Sequence, residues 1–313
     1  MLNSFLLSAR CVLPVLMLIA SGFGFRRAGW LRTEGVTQMD KVSFHVLLPL
    51  LLFQNIYSCD LKTSINAPML LAAVLLSLCT FGLSILLSSI KKDSPPTRAS
   101  LAQGMFRNNC VLYGMPIITA LYGQEAAGTF SMLLAVIIPL NNILSVLIIS
   151  LLASRRFRLM HALGKAITNP FVISAALALS VNVSGLSLPH ILQKFISDLA
   201  SCATPIALIL LGASLSFGSM RAYRKEIVAG VFTKLFLWPL LFLPLLVATG
   251  LRSVPLVSLY LSIGTPCAVS AHIMAKQMGA DGDLAGHLVV FGAAGSILSI
   301  FMFLFVLSYL QLI

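Results

Sequence analysis

The chain has 313 residues, of which 58% are hydrophobic and only 10% charged, and its mean hydropathy is +0.99. Soluble domains carry roughly 25% charged residues. This composition therefore excludes a water-soluble enzyme and indicates an all-α membrane protein, with the bilayer as the solvent its side chains face. A span takes about 20 apolar residues, so the length accommodates about ten spans and no soluble domain.

The apolar runs fall at 5–24, 43–59, 67–90, 99–123, 128–154, 170–184, 190–217, 226–250, 254–278 and 284–311. The first resembles a signal peptide in length, but its positive cluster (Arg26, Arg27, Arg32) follows the apolar core instead of preceding it. It is expected to be an uncleaved first helix with its N-terminus outside. The second run carries Pro49, and the fourth carries YGMPIITALYG around Pro116. Asn169-Pro170 opens the sixth, with proline in a first-turn position. The seventh carries ATPIALILLGASL around Pro205, and the ninth SIGTPCAVSAHIMA around Pro266. The six cysteines form no CxxC pair and read as small apolar residues.

The net charge of +12 raises nucleic acid as a partner. The placement of the charges excludes it. Loops after runs 1, 3, 5, 7 and 9 hold fifteen of the 21 basic residues, from Arg26 and Arg27 through Lys91 and Lys92, Arg155 and Arg156, and Arg221 to Lys276. The opposite loops hold Arg10, Lys62, Lys194 and Arg252, while Arg107 and Lys234 lie inside runs. This is the positive-inside pattern. It implies a multi-pass protein of the cytoplasmic membrane with both termini outside.

Proline-bearing runs recur in the same order in the two halves, 2 with 7 and 4 with 9. Five spans per half is an odd number, so the second copy enters the membrane inverted, a common plan in secondary transporters. The expected organisation is a first five-helix repeat at 1–154, a cytoplasmic basic loop at 155–169, and an inverted repeat at 170–313. Pro116 and Pro266, each two residues after a glycine (Gly114, Gly264), are expected to break helices 4 and 9 where they cross. A simple kink is the plainer alternative for any membrane proline.

Paired broken helices mark a transporter site. The candidate substrate-binding residues are Asn109, Gly114, Pro116, Arg107, Asn141, Gly264, Thr265, Pro266 and His272. Asn109 lies seven residues, two turns, before Pro116, and its amide can bind a carboxylate. A buried charge such as Arg107 costs roughly 2.5–3.5 kcal/mol at a helix centre on insertion scales. His272 could respond to protons or contact the substrate. Lys194 and Asp198 are expected to pair at i, i+4, and the other acidic residues read as loop or helix-end positions. No P-loop, HExxH, GxSxG or GxGxxG is present, so neither an enzyme nor an ATP-driven pump is expected, and no cofactor.

The ordered set of VLLPLLLFQNI, NNCVLYGMPIITALYG, TNP, SDLASCATPIALILLGASL, TPCAVSAHIMAKQMG and GDLAG resembles the auxin efflux carrier family, in its bacterial malonate/malate permease form. The resemblance spans nearly the whole chain. It implies a five-plus-five inverted repeat and a homodimer, with helices 1, 2, 6 and 7 as scaffold. Helices 3–5 and 8–10 would move elevator-fashion, with Asn109 on a substrate carboxylate. The architecture is related to the bile acid/sodium symporters, so coupling to sodium or protons is open. Phe171 and Cys267-Ala268 depart from the plant carriers, as does the lack of a long hydrophilic loop, and these point away from auxin itself. The expectation is a secondary transporter of a small organic anion, in contact with lipid. A drug/metabolite-type exporter and a membrane sensor are the alternatives.

Overall fold

The computed structural model describes residues 2–58, 67–90, 93–153, 168–215 and 220–313. Most of the expected basic loop, 155–167, lies outside the described residues, as do Lys91, Lys92 and Lys62. The described residues are helical and contain no strand.

Labels follow the apolar runs. They are α1 (Leu2–Arg27), α2 (Thr33–Tyr57), α3 (Ala67–Ile90), α4 in two halves (Pro95–Phe106 and 110–122), α5 (Ala126–Leu152) and α6 (Pro170–Ser184). They continue with α7 (His190–Ser214), α8 (Arg224–Ala248), α9 in two halves (Ser253–Gly264 and Ser270–Met278) and α10 (Gly282–Tyr309). Among the described residues six helices are long and apolar enough to cross a membrane: α2, α3, α5, α7, α8 and α10. Gly123, at φ 82°, takes the left-handed turn that separates α4 from α5.

Local signals start these helices. Ser94 Oγ accepts from the Thr97 amide ahead of Pro95 and Pro96. Asn169 Oδ1 accepts from Phe171 N, and Asp281 Oδ1 from Leu284 N. Each side chain satisfies a first-turn N–H that has no helical acceptor. α2 begins ten residues before its apolar run. Its first segment, Thr33–Val42, is polar on one side, while Val36 packs with Leu210 and Ala213 of α7.

Three five-residue π turns interrupt the helices, at Ser43–Leu47, Cys110–Gly114 and Thr233–Leu237. Each ends two residues before a proline: Pro49, Pro116 and Pro239. A proline ring collides with the carbonyl four residues earlier. That carbonyl belongs to His45, Leu112 or Leu235, the middle residue of each turn. Widening the turn to i→i+5 relieves the collision.

The helices pack in two groups. α1 lies along α7, and α2 along α6 and α7. α3, α4, α5, α8, α9 and α10 pack among themselves, and α1 against α10 is the main contact between the groups. At the α1–α7 crossing a Cβ on Gly22 would strike the Ile209 carbonyl, and one on Gly212 the Ile19 carbonyl. The backbones therefore touch, the close approach that small residues permit between membrane helices.

Candidate functional site

α4 and α9 are both interrupted, but only one interruption sits at its proline. In α9 the helix stops at Gly264 and restarts at Ser270, with Pro266 inside the gap. In α4 the gap is Arg107–Asn109, and Pro116 lies beyond it in the first turn after the π turn. The expected proline break in α4 is corrected accordingly: the helix is interrupted at Arg107–Asn109, while Pro116 lies inside the second half, where it widens the preceding turn without breaking the helix. Gly114 also does a different job from the one expected. Its φ is an ordinary −71°, and a Cβ there would meet the Phe130 ring at 2.5 Å. A Cβ on Gly264 would likewise meet the Tyr260 ring at 2.5 Å. Both glycines make room for buried aromatic rings.

A helix that stops inside the protein exposes carbonyls that need donors. For α4 these come from α8: Lys234 Nζ donates to the Phe106 carbonyl (3.0 Å) and Trp238 Nε1 to that of Met105 (2.8 Å). For α9 they come from the α4 gap and from α9 itself. Asn108 Nδ2 donates to the Ser262 carbonyl, and Thr265 Oγ1 to that of Leu261 (3.0 Å). Asn108 Oδ1 accepts from Asn141 Nδ2 (3.2 Å) and Cys110 Sγ (2.9 Å). Asn108 therefore clasps the two gaps and α5 together. Lys234 is a buried cation that the sequence placed inside a run, and its capping role needed the fold to be seen.

Between the two helix groups, at these gaps, lies a cavity of about 180 Å³. Arg107, Asn109 and Asn141 line it, with Ala268 and Ser270 at the start of the second half of α9. Leu48, Leu51 and Leu52 of α2, Phe171 of α6 and Thr204 of α7 form the opposite wall. Cys110 to Leu112, the first residues of the second half of α4, also line it. Two half-helices thus begin at one cavity, and helix N-termini carry partial positive charge.

Arg107 is 5% exposed. One of its guanidinium nitrogens donates to Asn142 Oδ1 (2.7 Å) and Ser270 Oγ (2.8 Å), another to Met274 Sδ (2.9 Å). All three acceptors are neutral. Among the described residues no carboxylate lies within ion-pair distance of Arg107 or of Lys234. Asn109 has φ −119° and ψ 61°, and its carboxamide makes no hydrogen bond among the described residues. Asn141 Oδ1 is buried without a partner.

Of the expected site residues, Arg107, Asn109 and Asn141 come together at this cavity. Gly264, Thr265 and Pro266 sit at the α9 gap and Gly114 and Pro116 within the second half of α4, and none of the five lines the cavity. His272 faces elsewhere, into a second cavity. Of the acidic residues, Asp198 is paired as expected and Asp40 differs. Asp198 is exposed in its i, i+4 pair with Lys194 (3.1 Å), whereas Asp40 is fully buried and pairs with Lys276. Asp40 reads as a helix-end residue because its polar segment precedes the apolar run, but α2 carries it beneath α9.

Among the described residues no three His, Cys, Asp or Glu side chains gather as metal ligands would. The model of a family described as membrane transport proteins matches the chain twice, over residues 8–160 and 152–304. The chain belongs to this family. It is the auxin efflux carrier-like family whose motifs it carries, so the protein is a multi-pass membrane transporter. A comparison with curated proteins found no match.

Proposed function

We propose that this transporter is a secondary carrier that moves a small organic anion, a carboxylate, across the cytoplasmic membrane by alternating access. The observation that carries the reading is Arg107: a buried guanidinium at the cavity wall, whose acceptors among the described residues are all neutral. Desolvating a cation without a counter-ion is costly, and an anion bound in the cavity supplies the missing charge. Asn109 is the free amide beside it, and the two half-helix N-termini add to the same field.

In this reading the chain has ten spans in two inverted sets of five, with both termini outside. α3–α5 and α8–α10 travel elevator-fashion against α1, α2, α6 and α7, and two chains form a dimer. The cavity between the two helix groups and the way those groups pack support it. A drug/metabolite-type exporter has no need of interrupted α4 and α9, so their interruption favours the carboxylate carrier.

The test is uptake by proteoliposomes of labelled malate, malonate, succinate and an indole acid. Saturable uptake by wild type and its loss in Asn109→Ala support the proposal. Uptake of amines or neutral solutes in preference to every carboxylate would refute it.

A further inference from the structure

The second cavity, about 570 Å³, lies between the ends of α1, α2 and α7 on one side and α9 and α10 on the other. His272 reaches it from the second half of α9 and is 2% exposed. Gly286 of α10 gives the imidazole its room, since a Cβ there would sit 3.2 Å from Nδ1. His272 Nδ1 lies 2.8 Å from the Gly282 carbonyl. A carbonyl only accepts, so Nδ1 carries a hydrogen, and in the neutral ring Nε2 is a bare lone pair. Among the described residues that buried Nε2 has no partner. Ser214 Oγ, on the same cavity, has none either.

The charges around this ring come from every element packed on it. Arg26 of α1 and Lys276 of α9 are cationic. Asp40 of α2, together with Asp281 and Asp283 at the start of α10, is anionic, and His287 of α10 adjoins. Two cations stand against three carboxylates, so a neutral His272 leaves the cluster one negative charge in excess. Asp40 Oδ2 is taken by Lys276, while Asp40 Oδ1 is buried and has no partner among the described residues.

We infer that the second cavity contains a proton-binding site, with His272 Nε2 as the acceptor, and that this proton is the coupling ion of the carrier. The coupling role rests on the carrier reading above, whereas the site does not. Protonation neutralises the excess charge and turns Nε2 into a donor with Asp40 available to it. It also places a second cation one turn from Lys276, in competition for the same carboxylate. The Asp40–Lys276 pair ties α2 to α9, so proton binding loosens a link between the two helix groups. The half-helix that carries His272 begins with Ser270, which holds Arg107 at the first cavity. Two residues therefore separate the solute site from the proton site along one rigid element.

The experiment uses full-length protein labelled with 15N-histidine in nanodiscs, with His272→Gln to assign the resonance among the five histidines. The expected result is an imidazole resonance that moves with pH over the range in which the protein stays folded and is absent from the variant. In Asp40→Asn the midpoint should fall, because removing an anion disfavours the charged ring. In proteoliposomes an imposed pH gradient should change wild-type malate or malonate uptake by roughly tenfold, about 1.4 kcal/mol. In His272→Gln the ratio of uptake with and without the gradient should fall to one. A His272 resonance that does not move over this range overturns the site. An unchanged gradient response in His272→Gln overturns the coupling role. A titrating His272 in a protein that carries none of the solutes retains the site and refutes the carrier reading instead.

Discussion

Replacing Arg107 with Gln removes the charge and keeps a hydrogen-bonding head. A carboxylate about 4 Å from the guanidinium, at an effective dielectric constant of about 20, is attracted by roughly 4 kcal/mol. Engaging it draws the guanidinium away from Asn142 and Ser270, and each exchanged hydrogen bond is worth about 1 kcal/mol net. The surplus is roughly 2 kcal/mol, or about 30-fold in affinity. Arg107→Gln should therefore weaken binding of malonate or malate about 30-fold. Arg107→Lys should lie between the two, keeping the charge but losing the planar fork that spans several acceptors. Scintillation proximity binding of labelled dicarboxylates to purified protein measures this, and size-exclusion profiles and melting curves report on the fold. A monodisperse Arg107→Gln protein that binds dicarboxylates with wild-type affinity would refute the argument that the buried cation is there for an anion.

Asn109→Ala should weaken the same binding by about tenfold or more, the worth of one hydrogen bond to a charged acceptor. Lys194→Gln, in an exposed ion pair, should change it negligibly. Lys234→Met should leave the Phe106 carbonyl without its donor at about 1–3 kcal/mol, seen as a lower melting temperature in detergent; an unchanged melting temperature would contradict the capping role. Pro116→Ala should affect transport less than Asn108→Ala, since Asn108 and not the proline holds the α4 gap; the reverse order in a flux assay would restore the proline to that role. Gly264→Ala forces the buried Tyr260 ring aside and should cost about 1–3 kcal/mol, and a melting temperature at or above wild type would show that the ring has room to move.

What could be seen in the sequence follows from what each signal depends on. The apolar runs and the basic loops depend only on local composition, so the all-helical membrane architecture was legible from them. The interruption of α9 at Pro266 was legible too, because proline acts on its own backbone, whereas Pro116 lies outside the gap in α4. The positions of the gaps depend on tertiary donors. α4 opens at Arg107–Asn109 because Lys234 and Trp238, more than a hundred residues away, take its last carbonyls. No local signal at Pro116 reveals that. Asp40 was misread for a similar reason: its burial is decided by α7 and α9, while its neighbours Gln38 and Lys41 are polar. Arg107 and Asn109 stand out in the sequence because a charge and an amide in an apolar run are conspicuous alone, and the structure puts both on the first cavity. His272 lines the second cavity instead, since two residues along a helix turn a side chain through more than half a revolution.

The bare crossing of Gly22 and Gly212 has a mechanical consequence. Each backbone fills the space where the other glycine has no side chain. Displacing either helix along its axis by one residue would bring Ser21 or Phe23 of α1, or Leu211 or Ala213 of α7, into that space. The junction therefore resists sliding but permits swivelling, as a bearing does. α1 is fixed axially to α7 while its other side rests against α10, so in the proposed elevator movement the α1–α10 surface would be the track. Widening the bearing with Gly212→Ala should halt that travel without touching either cavity wall.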